Sequence, residues 1–233
     1  KEQSLIPASH LNIALGPLVK TWRIGFSDAR IPNNAEVTHA LSLTDPQLIE
    51  LDPLSCTVFL AKEGMKLDLG CLAKGYIADK IADYLKSQHV MSALINLGGN
   101  IKTIGANVLA NRPWQIGIQD PRQPRGTNLA VLPISNQSVV TSGTYERKLQ
   151  VNEHTYHHIL DRKTGYPVDT QLASITIISD NSLDGEIWTT RLYGEKPRQL
   201  LARVEQEKGI EVLIVTTDNR VYYSSGISPE FLA

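Results

Sequence analysis

The order of apolar and polar residues predicts helices interleaved with short strands. The clearest helix is residues 71–88, CLAKGYIADKIADYLKSQ. Apolar side chains recur there three or four positions apart, as on one face of an amphipathic helix, at Ala73, Ile77, Ile81, Tyr84 and Leu85. Further helices are predicted over residues 182–194 and 196–209, and a polar helix is predicted before residue 46.

The other apolar runs are short and predict strands. WQIGIQDP alternates Trp114, Ile116 and Ile118 before an Asp-Pro stop, and ALINLGGN predicts a buried strand that ends at Gly98-Gly99. A hairpin is predicted within residues 54–70, LSCTVFLAKEGMKLDLG, around its Lys-Glu-Gly turn. Other predicted strands are LAVLPI, SVVTS, RKLQV, TYHHIL and ASITIIS, followed by a closing hairpin over EVLIVTTDNRVYYSS.

This mixed order predicts an α+β fold with an antiparallel sheet core and flanking helices. Neither a repeat nor a long linker interrupts the sequence, so we expect residues 1–233 to form a single domain. The chain opens with KEQSLIPASH, without an initiator Met or a signal-type segment. We therefore expect a chain truncated at its N-terminus.

Composition and charge limit the classes of function that the chain can have. The chain is 42% hydrophobic and 20% charged, values typical of a globular protein, and no apolar run is long enough to cross a bilayer. A net charge of -1 gives no bulk attraction to nucleic acid or to anionic membranes, so no nucleic-acid partner is expected. The two cysteines, Cys56 and Cys71, form neither a disulfide framework nor a metal-ligand spacing.

Four glycine-containing corners lie where predicted strands end or helices begin: DLGCLAKGY, NLGGN, TSGTYER and DRKTGYP. None is a Walker loop or a GxGxxG fingerprint. A glycine between elements is most often a turn residue, but such corners also let backbone amides approach an anion. With Lys74, Arg147 and Lys163 nearby, the four corners together favour a phosphate-bearing ligand.

Residues 155–169, TYHHILDRKTGYPVD, place two histidines next to an aspartate and a tight turn. Neighbouring side chains of a strand point to opposite faces, so His158 is predicted to share a side with Tyr156 and Leu160, and His157 to lie on the other. A histidine in a strand is often only half-exposed or hydrogen-bonded, although its pKa near neutrality also suits proton transfer. The residues alone leave both interpretations open.

NSLDGEIWTTR is a further candidate site. Asp184, near the predicted start of a helix, is explained by an N-cap role, and Thr189 and Thr190 by solvent exposure. The sharper interpretation is a hard-cation site, because a carboxylate and a hydroxyl about one helical turn apart can both face an oxygen-lined metal.

Seven stretches in order resemble the signature blocks of the ApbE family, the FAD:protein FMN transferases. The resemblance runs from about Asn12 to the end and is carried by GPLVKTWRIGF, MKLDLGCLAKGYIADKIADYL, ALINLGGNI, WQIGIQDPR, VVTSGTYER, YHHILDRKTGYPV and LDGEIWTTRLYG. It implies the ApbE-like fold, with the N-terminal part of that fold missing.

The resemblance implies an activity. Members bind FAD and Mg²⁺ and transfer FMN to a Thr or Ser hydroxyl of an exported acceptor protein, releasing AMP; some hydrolyse FAD to FMN and AMP instead. A flavin-binding protein without turnover is the third alternative. The resemblance also implies an extracytoplasmic location, with membrane attachment only through an upstream lipid anchor.

It further implies site residues. His158 is the expected functional histidine, as a base or as a group that steadies the phosphate, and Asp161 and Thr164 are expected near the diphosphate. Flavin-nucleotide contacts are expected from Lys74, Ser142, Gly143 and Arg147. Lys74 is also explained as a surface lysine on the polar face of its helix.

The expected metal ligands are the backbone carbonyl near Cys71, the carboxylate of Asp184 and a threonine four residues later. This chain departs from the family pattern, because Trp188 stands at the threonine position. Either Thr189 supplies the hydroxyl, or the third ligand is a different group or a water.

Overall fold

The computed structural model describes residues 1–152 and 154–232. Its helices are α1 Glu2–Leu5, α2 Gly16–Trp22, α3 Asn34–Leu41, α4 Ala73–Ser87, α5 Ser182–Leu192 and α6 Pro197–Val204, with a 3-10 turn at Pro46–Leu48. Its strands are β1 Ile49–Asp52, β2 Thr57–Leu60, β3 Ala93–Leu97, β4 Asn100–Ile104, β5 Trp114–Gln119, β6 Asn128–Ile134, β7 Ser138–Gly143, β8 Lys148–Val151, β9 His154–His157, β10 Leu172–Ser179, β11 Ile210–Thr216, β12 Val221–Tyr223 and β13 Glu230–Phe231. Every pair of these strands is antiparallel, which confirms the predicted α+β class.

The chain divides into two compact units that alternate along the sequence. The first unit comprises Lys1–Leu69, Thr144–Asp169 and Arg191–Gly194. The second comprises Gly70–Gly143, Thr170–Thr190 and Glu195–Ala233. The expectation of a single domain over residues 1–233 stays a prediction. In the described part of the chain, no helix combines the length and the apolar character needed to cross a membrane.

The second unit is built on two sheets that share a core. A six-stranded sheet has the order β12-β11-β10-β7-β4-β3, and a three-stranded sheet has the order β13-β6-β5. Side chains from both sheets form one apolar cluster: Ile116, Ile118, Leu132, Ile134, Val139, Ile178, Leu213 and Val215. Because strand side chains alternate, Val139 joins this cluster whereas Val140 points the other way, towards Gly185 of α5.

Helix α4 packs on one face of the larger sheet, over β3 and β4. Its buried residues are Gly75, Ala78 and Ala82, and the two alanines pack with apolar residues of β3 and β4. The predicted helix is therefore confirmed, but its buried face is rotated from the predicted stripe. Of that stripe, Ile77 is 47% and Tyr84 65% exposed.

The first unit holds a smaller core around Trp22. Residues of α2 and α3 meet there with Leu160, and Tyr156 packs against the same cluster. The indole Nε1 of Trp22 donates a hydrogen bond to the carbonyl of Gly165 (2.8 Å). The prediction that Tyr156 and Leu160 lie on one side agrees with this cluster.

The predicted hairpin within residues 54–70 is wrong in its pairing. Strand β2 pairs with β1 across a turn at residues 53–56, and residues 65–69 form no strand. The Asp52 carboxylate stabilises the observed turn by accepting the N–H groups of Leu54 (2.9 Å) and Ser55 (3.3 Å). This Asp-centred turn explains why the chain reverses earlier than the Lys-Glu-Gly pattern predicted.

Candidate functional site

In the second unit, side chains from α4 and β4 fix the first turn of α5. The Asp79 carboxylate accepts the backbone N–H groups of Ser182 (2.8 Å) and Leu183 (2.9 Å), which a helix start would otherwise leave without partners. The Ser182 hydroxyl donates to Asn100 Oδ1 (2.6 Å). Buried Lys102 places its Nζ 3.8 Å from Asp79 Oδ1, and its pKa is lowered by burial while Asp79 opposes that shift.

The central group of this region is the Glu186 carboxylate. Its side chain is only 5% exposed, and its Oε1 accepts a hydrogen bond from Asn100 Nδ2 (2.8 Å) and lies 3.8 Å from Lys74 Nζ. Burial raises the pKa of Glu186, and the positive charge of Lys74 and the Asn100 hydrogen bond partly offset the rise. A buried carboxylate with a single lysine beside it is suited to attract a further cation.

Gly75 allows α4 to approach α5 this closely. A Cβ at this position would lie 2.6 Å from the Ser182 carbonyl oxygen and 2.8 Å from Glu186 Cγ. Both distances are too short for any side chain. The glycine of the AKGY corner thus fixes the distance between the start of α4 and the Glu186 side chain.

The predicted pair on α5 does not share a face. Asp184 is half-buried and accepts a hydrogen bond from Asn181 Nδ2 (3.0 Å), whereas Thr189 is fully buried and donates to the Glu186 carbonyl (3.1 Å). Five residues of an α-helix turn through about 140°, so Trp188, and not Thr189, lies on the side of Asp184. The ligand roles of Asp184, Thr189 and the half-buried Cys71 stay predictions.

Glu186 is a candidate site residue that the sequence prediction did not single out. It stands four positions before Thr190, so it meets the one-turn carboxylate and hydroxyl spacing better than Asp184 and Thr189 do. No group of three or more His, Cys, Asp or Glu side chains in residues 1–152 and 154–232 is arranged to hold a metal. A donor set of one carboxylate, one hydroxyl and one backbone carbonyl contains fewer than three such side chains.

The predicted nucleotide contacts of this unit lie at two places. Ser142 and Gly143 end β7, where they pair with Ile175 and Ser174 of β10. Lys74, 46% exposed, lies in the first turn of α4 and reaches Glu186. Contacts of these three residues with a flavin nucleotide stay predictions.

In the first unit, the two histidines have different hydrogen-bond partners. The Ile159 N–H donates to Nδ1 of His157 (3.3 Å), so the proton of the neutral ring lies on Nε2, which donates to the Val168 carbonyl (3.0 Å). Burial lowers the pKa of His157, and the Val168 hydrogen bond opposes this shift. Its surroundings therefore favour the neutral form of His157 and engage both of its ring nitrogens.

His158 follows the last residue of β9 and binds the carbonyl of Arg147. Its backbone N–H (3.2 Å) and its ring Nδ1 (3.3 Å) both approach that oxygen. A carbonyl only accepts hydrogen bonds, so Nδ1 carries the proton of the neutral ring and Nε2 holds the lone pair that a general base uses. The exposed Arg147 side chain packs its stem against Gly25.

Asp161 organises the DRKTG corner. Its Oδ1 accepts the N–H groups of Lys163 (2.6 Å) and Thr164 (3.1 Å), and its carbonyl accepts that of Gly165 (2.8 Å). The hydroxyl oxygen of the exposed Thr164 accepts the Tyr166 N–H (3.3 Å). The structure thus brings Asp161 and Thr164 together, and their roles toward a diphosphate stay predictions.

Comparisons with known proteins identify the family to which this fold and these glycine-containing corners belong. A crystal structure of the ApbE protein from Thermotoga maritima has the same fold, with a TM-score of 0.84 and 29% sequence identity over 93% of this chain and 70% of that one. The sequence model of the ApbE family matches residues 2–214. The chain belongs to the ApbE family.

Two relatives carry the same functional name. The FAD:protein FMN transferase of Klebsiella pneumoniae (strain 342) is 46% identical over 97% of this chain and 69% of its own length. The FAD:protein FMN transferase of Treponema pallidum (strain Nichols) is 36% identical over 93% of this chain. The chain spans 63% of the length of that second relative.

Proposed function

We propose that this protein is an enzyme that transfers FMN from FAD to a Ser or Thr hydroxyl of an acceptor protein. The observation that carries the proposal is the 46% identity, over 97% of this chain, to a relative named FAD:protein FMN transferase. In the reaction, the acceptor hydroxyl oxygen bonds to the FMN phosphorus of the diphosphate. The bond from that phosphorus to the bridging oxygen breaks, and AMP leaves with that oxygen.

The first unit supplies the proposed base. His158 takes the hydroxyl proton at Nε2, since Nδ1 faces the Arg147 carbonyl. Asp161 shapes the corner in which Thr164 and Arg147 are proposed to contact FAD. Lys74, Ser142 and Gly143 are the proposed nucleotide contacts of the second unit.

The second unit holds the proposed Mg²⁺ ligands. Bound Mg²⁺ would supply positive charge that neutralises the diphosphate oxygens. The residues fit this ion, because Glu186 is a buried carboxylate with Lys74 at 3.8 Å, and Thr190 is half-buried one helical turn further on. We propose Glu186, Thr190 and the Cys71 carbonyl as ligands, in preference to Asp184 and Thr189.

An extracytoplasmic location with an exported acceptor is also proposed. Its support is the family resemblance, and membrane attachment would require a lipid anchor upstream of these residues.

Product analysis tests the reaction. The chain is incubated with FAD and Mg²⁺, with and without extracted exported proteins, and AMP, free FMN and protein-bound flavin are separated by chromatography. We expect AMP and protein-bound flavin in equal amounts, only when acceptor is present. AMP with an equal amount of free FMN would indicate hydrolysis, and intact FAD under both conditions would indicate binding without turnover; either result contradicts the proposal.

A further inference from the structure

In the described part of the chain, strand β3 is an edge strand of the six-stranded sheet. It lies at the end of the strand order and pairs only with β4 among the described strands. Leu94 and Asn96 stand opposite Thr103 and Ile101 of β4.

The backbone groups of Leu94 and Asn96 face outward from this edge. The Thr103 N–H donates to the Gln137 carbonyl (2.9 Å) and the Ile101 carbonyl accepts from the Ser138 hydroxyl (2.7 Å), so both β4 residues direct these groups away from β3. Since hydrogen-bonded and non-hydrogen-bonded pairs alternate in an antiparallel ladder, the N–H and C=O groups of Leu94 and Asn96 point to the open side.

This edge lacks two of the features that often protect an exposed strand, a charged residue and a proline. Residues 93–97, ALINL, contain no charge and no proline. Leu94 is 39% and Met91 79% exposed on the approach to the strand. On α4, Ile81 packs against the apolar cluster of β3 and β4, and Ile77 and Tyr84 extend the same helix stripe into solvent.

The end of β3 is also close in sequence to a residue that contacts Glu186. After β3 ends at Leu97, the turn residues Gly98 and Gly99 both have positive φ (62° and 93°), and β4 begins at Asn100, whose side-chain amide donates to the Glu186 carboxylate. A Cβ on Gly98 or on Gly99 would meet no atom within 4 Å. The turn that follows β3 therefore leads directly to the residue that hydrogen-bonds the proposed Mg²⁺ ligand.

We propose that the Ser- or Thr-bearing segment of the acceptor protein binds as an added strand on β3. Backbone hydrogen bonds to Leu94 and Asn96 would supply affinity, and the stripe of Ile77, Ile81 and Tyr84 would contact alternate peptide side chains. This inference rests on the proposed function, because it assigns a binding mode to the protein acceptor of that reaction.

Proline at an outward-facing edge position provides the test. Leu94→Pro removes the outward N–H without removing a β3–β4 hydrogen bond, and Leu94→Ala, the matched control, keeps that N–H. With an acceptor that the wild-type chain modifies, we expect Leu94→Pro to raise KM for the acceptor roughly tenfold or more, through loss of edge hydrogen bonds and register. Leu94→Ala should change KM by less than about threefold, and FAD binding should be unchanged in both variants.

Amide hydrogen exchange followed by NMR provides a direct readout. A synthetic peptide spanning the modified Ser or Thr should slow exchange at Leu94 and Asn96. The Ile95 amide, already bonded within the sheet, serves as the internal reference.

Several results would overturn the binding mode while leaving the transfer reaction intact. These are unchanged acceptor KM in Leu94→Pro, equal losses in both Leu94 variants, and exchange protection that appears through self-association without acceptor. A wild-type chain that modifies no protein would instead overturn the proposed function and this inference together.

Discussion

Glu186 is the residue on which the proposed chemistry of the second unit depends. Its carboxylate is nearly inaccessible, accepts a hydrogen bond from Asn100 and lies near one lysine. Burial raises its pKa by disfavouring the ionised form, and a cation placed next to the carboxylate would oppose that rise, as Lys74 already does. Asp184, two residues earlier, is half-buried and already bound by Asn181.

Isosteric substitutions separate the two carboxylates. Glu186→Gln keeps an oxygen for Asn100 but removes the charge, so kcat should fall about 100-fold or more, whereas Asp184→Asn should stay within about threefold of wild type. The Mg²⁺-dependent rise of the thermal unfolding midpoint should disappear in Glu186→Gln and persist in Asp184→Asn. The opposite ranking in both measurements would return the ligand role to Asp184.

The adjacent histidines give a second residue-scale prediction. His158→Ala should reduce the transfer rate about 100-fold or more at saturating substrates, because the proposed base is lost. His157→Ala should leave the rate per folded molecule close to wild type and lower stability, since its ring links Ile159 and Val168. Transfer rates normalised to folded protein by circular dichroism check both; a larger rate loss in His157→Ala would contradict the assignment.

The sequence located part of the candidate site and not the rest. Its ordered blocks identified the corners that hold His158, Asp161 and Lys74. The sequence could not show which carboxylate of NSLDGEIWTTR is buried, because that depends on contacts with Gly75 and Asn100, distant in sequence. The family resemblance pointed to Asp184, although the one-turn spacing from Glu186 to Thr190 was already visible.

At the scale of elements, the contact between the starts of α4 and α5 positions Glu186. Asp79 of α4 caps α5, and Gly75 lets the two helices touch. Their packing couples the AKGY corner to the carboxylate, so a change in helix spacing should alter both stability and activity.

Gly75→Ala tests this contact. Alanine would normally stabilise a helix by about 1 kcal/mol relative to glycine, so any destabilisation measures the clash with Ser182 and Glu186. We expect a loss of roughly 1–3 kcal/mol in the free energy of unfolding, measured by urea denaturation. Lys80→Ala, at an exposed position of the same helix, should change it by less than about 0.5 kcal/mol. If the Gly75→Ala variant were as stable as the wild type, the two helices would be able to move apart without a loss of stability.

The sequence predicted which helices and strands exist better than it predicted which strands pair and which helix faces are buried. The apolar periods located α4, β3 and β5, and the closing hairpin of β11 and β12. Strand β2 was paired with the wrong segment, because the Asp52 turn was not recognised. The buried face of α4 was also misplaced, since small residues, and not the bulky stripe, pack against the sheet.

At the scale of the molecule, an antiparallel α+β architecture and membership of the ApbE family agree with each other. The family match covers residues 2–214, so the whole pattern of blocks, and not one motif, supports the assignment. Neither the acceptor nor its binding mode follows from those blocks. The open edge of β3 became visible only once strand order was known.

Intact-mass spectrometry of an isolated exported protein, after incubation with this chain, FAD and Mg²⁺, is the most direct test of flavin transfer. We predict that the acceptor gains one covalent FMN at a Ser or Thr, and that EDTA abolishes the gain. Unchanged acceptor mass, with FAD either consumed or intact, would contradict the transferase function.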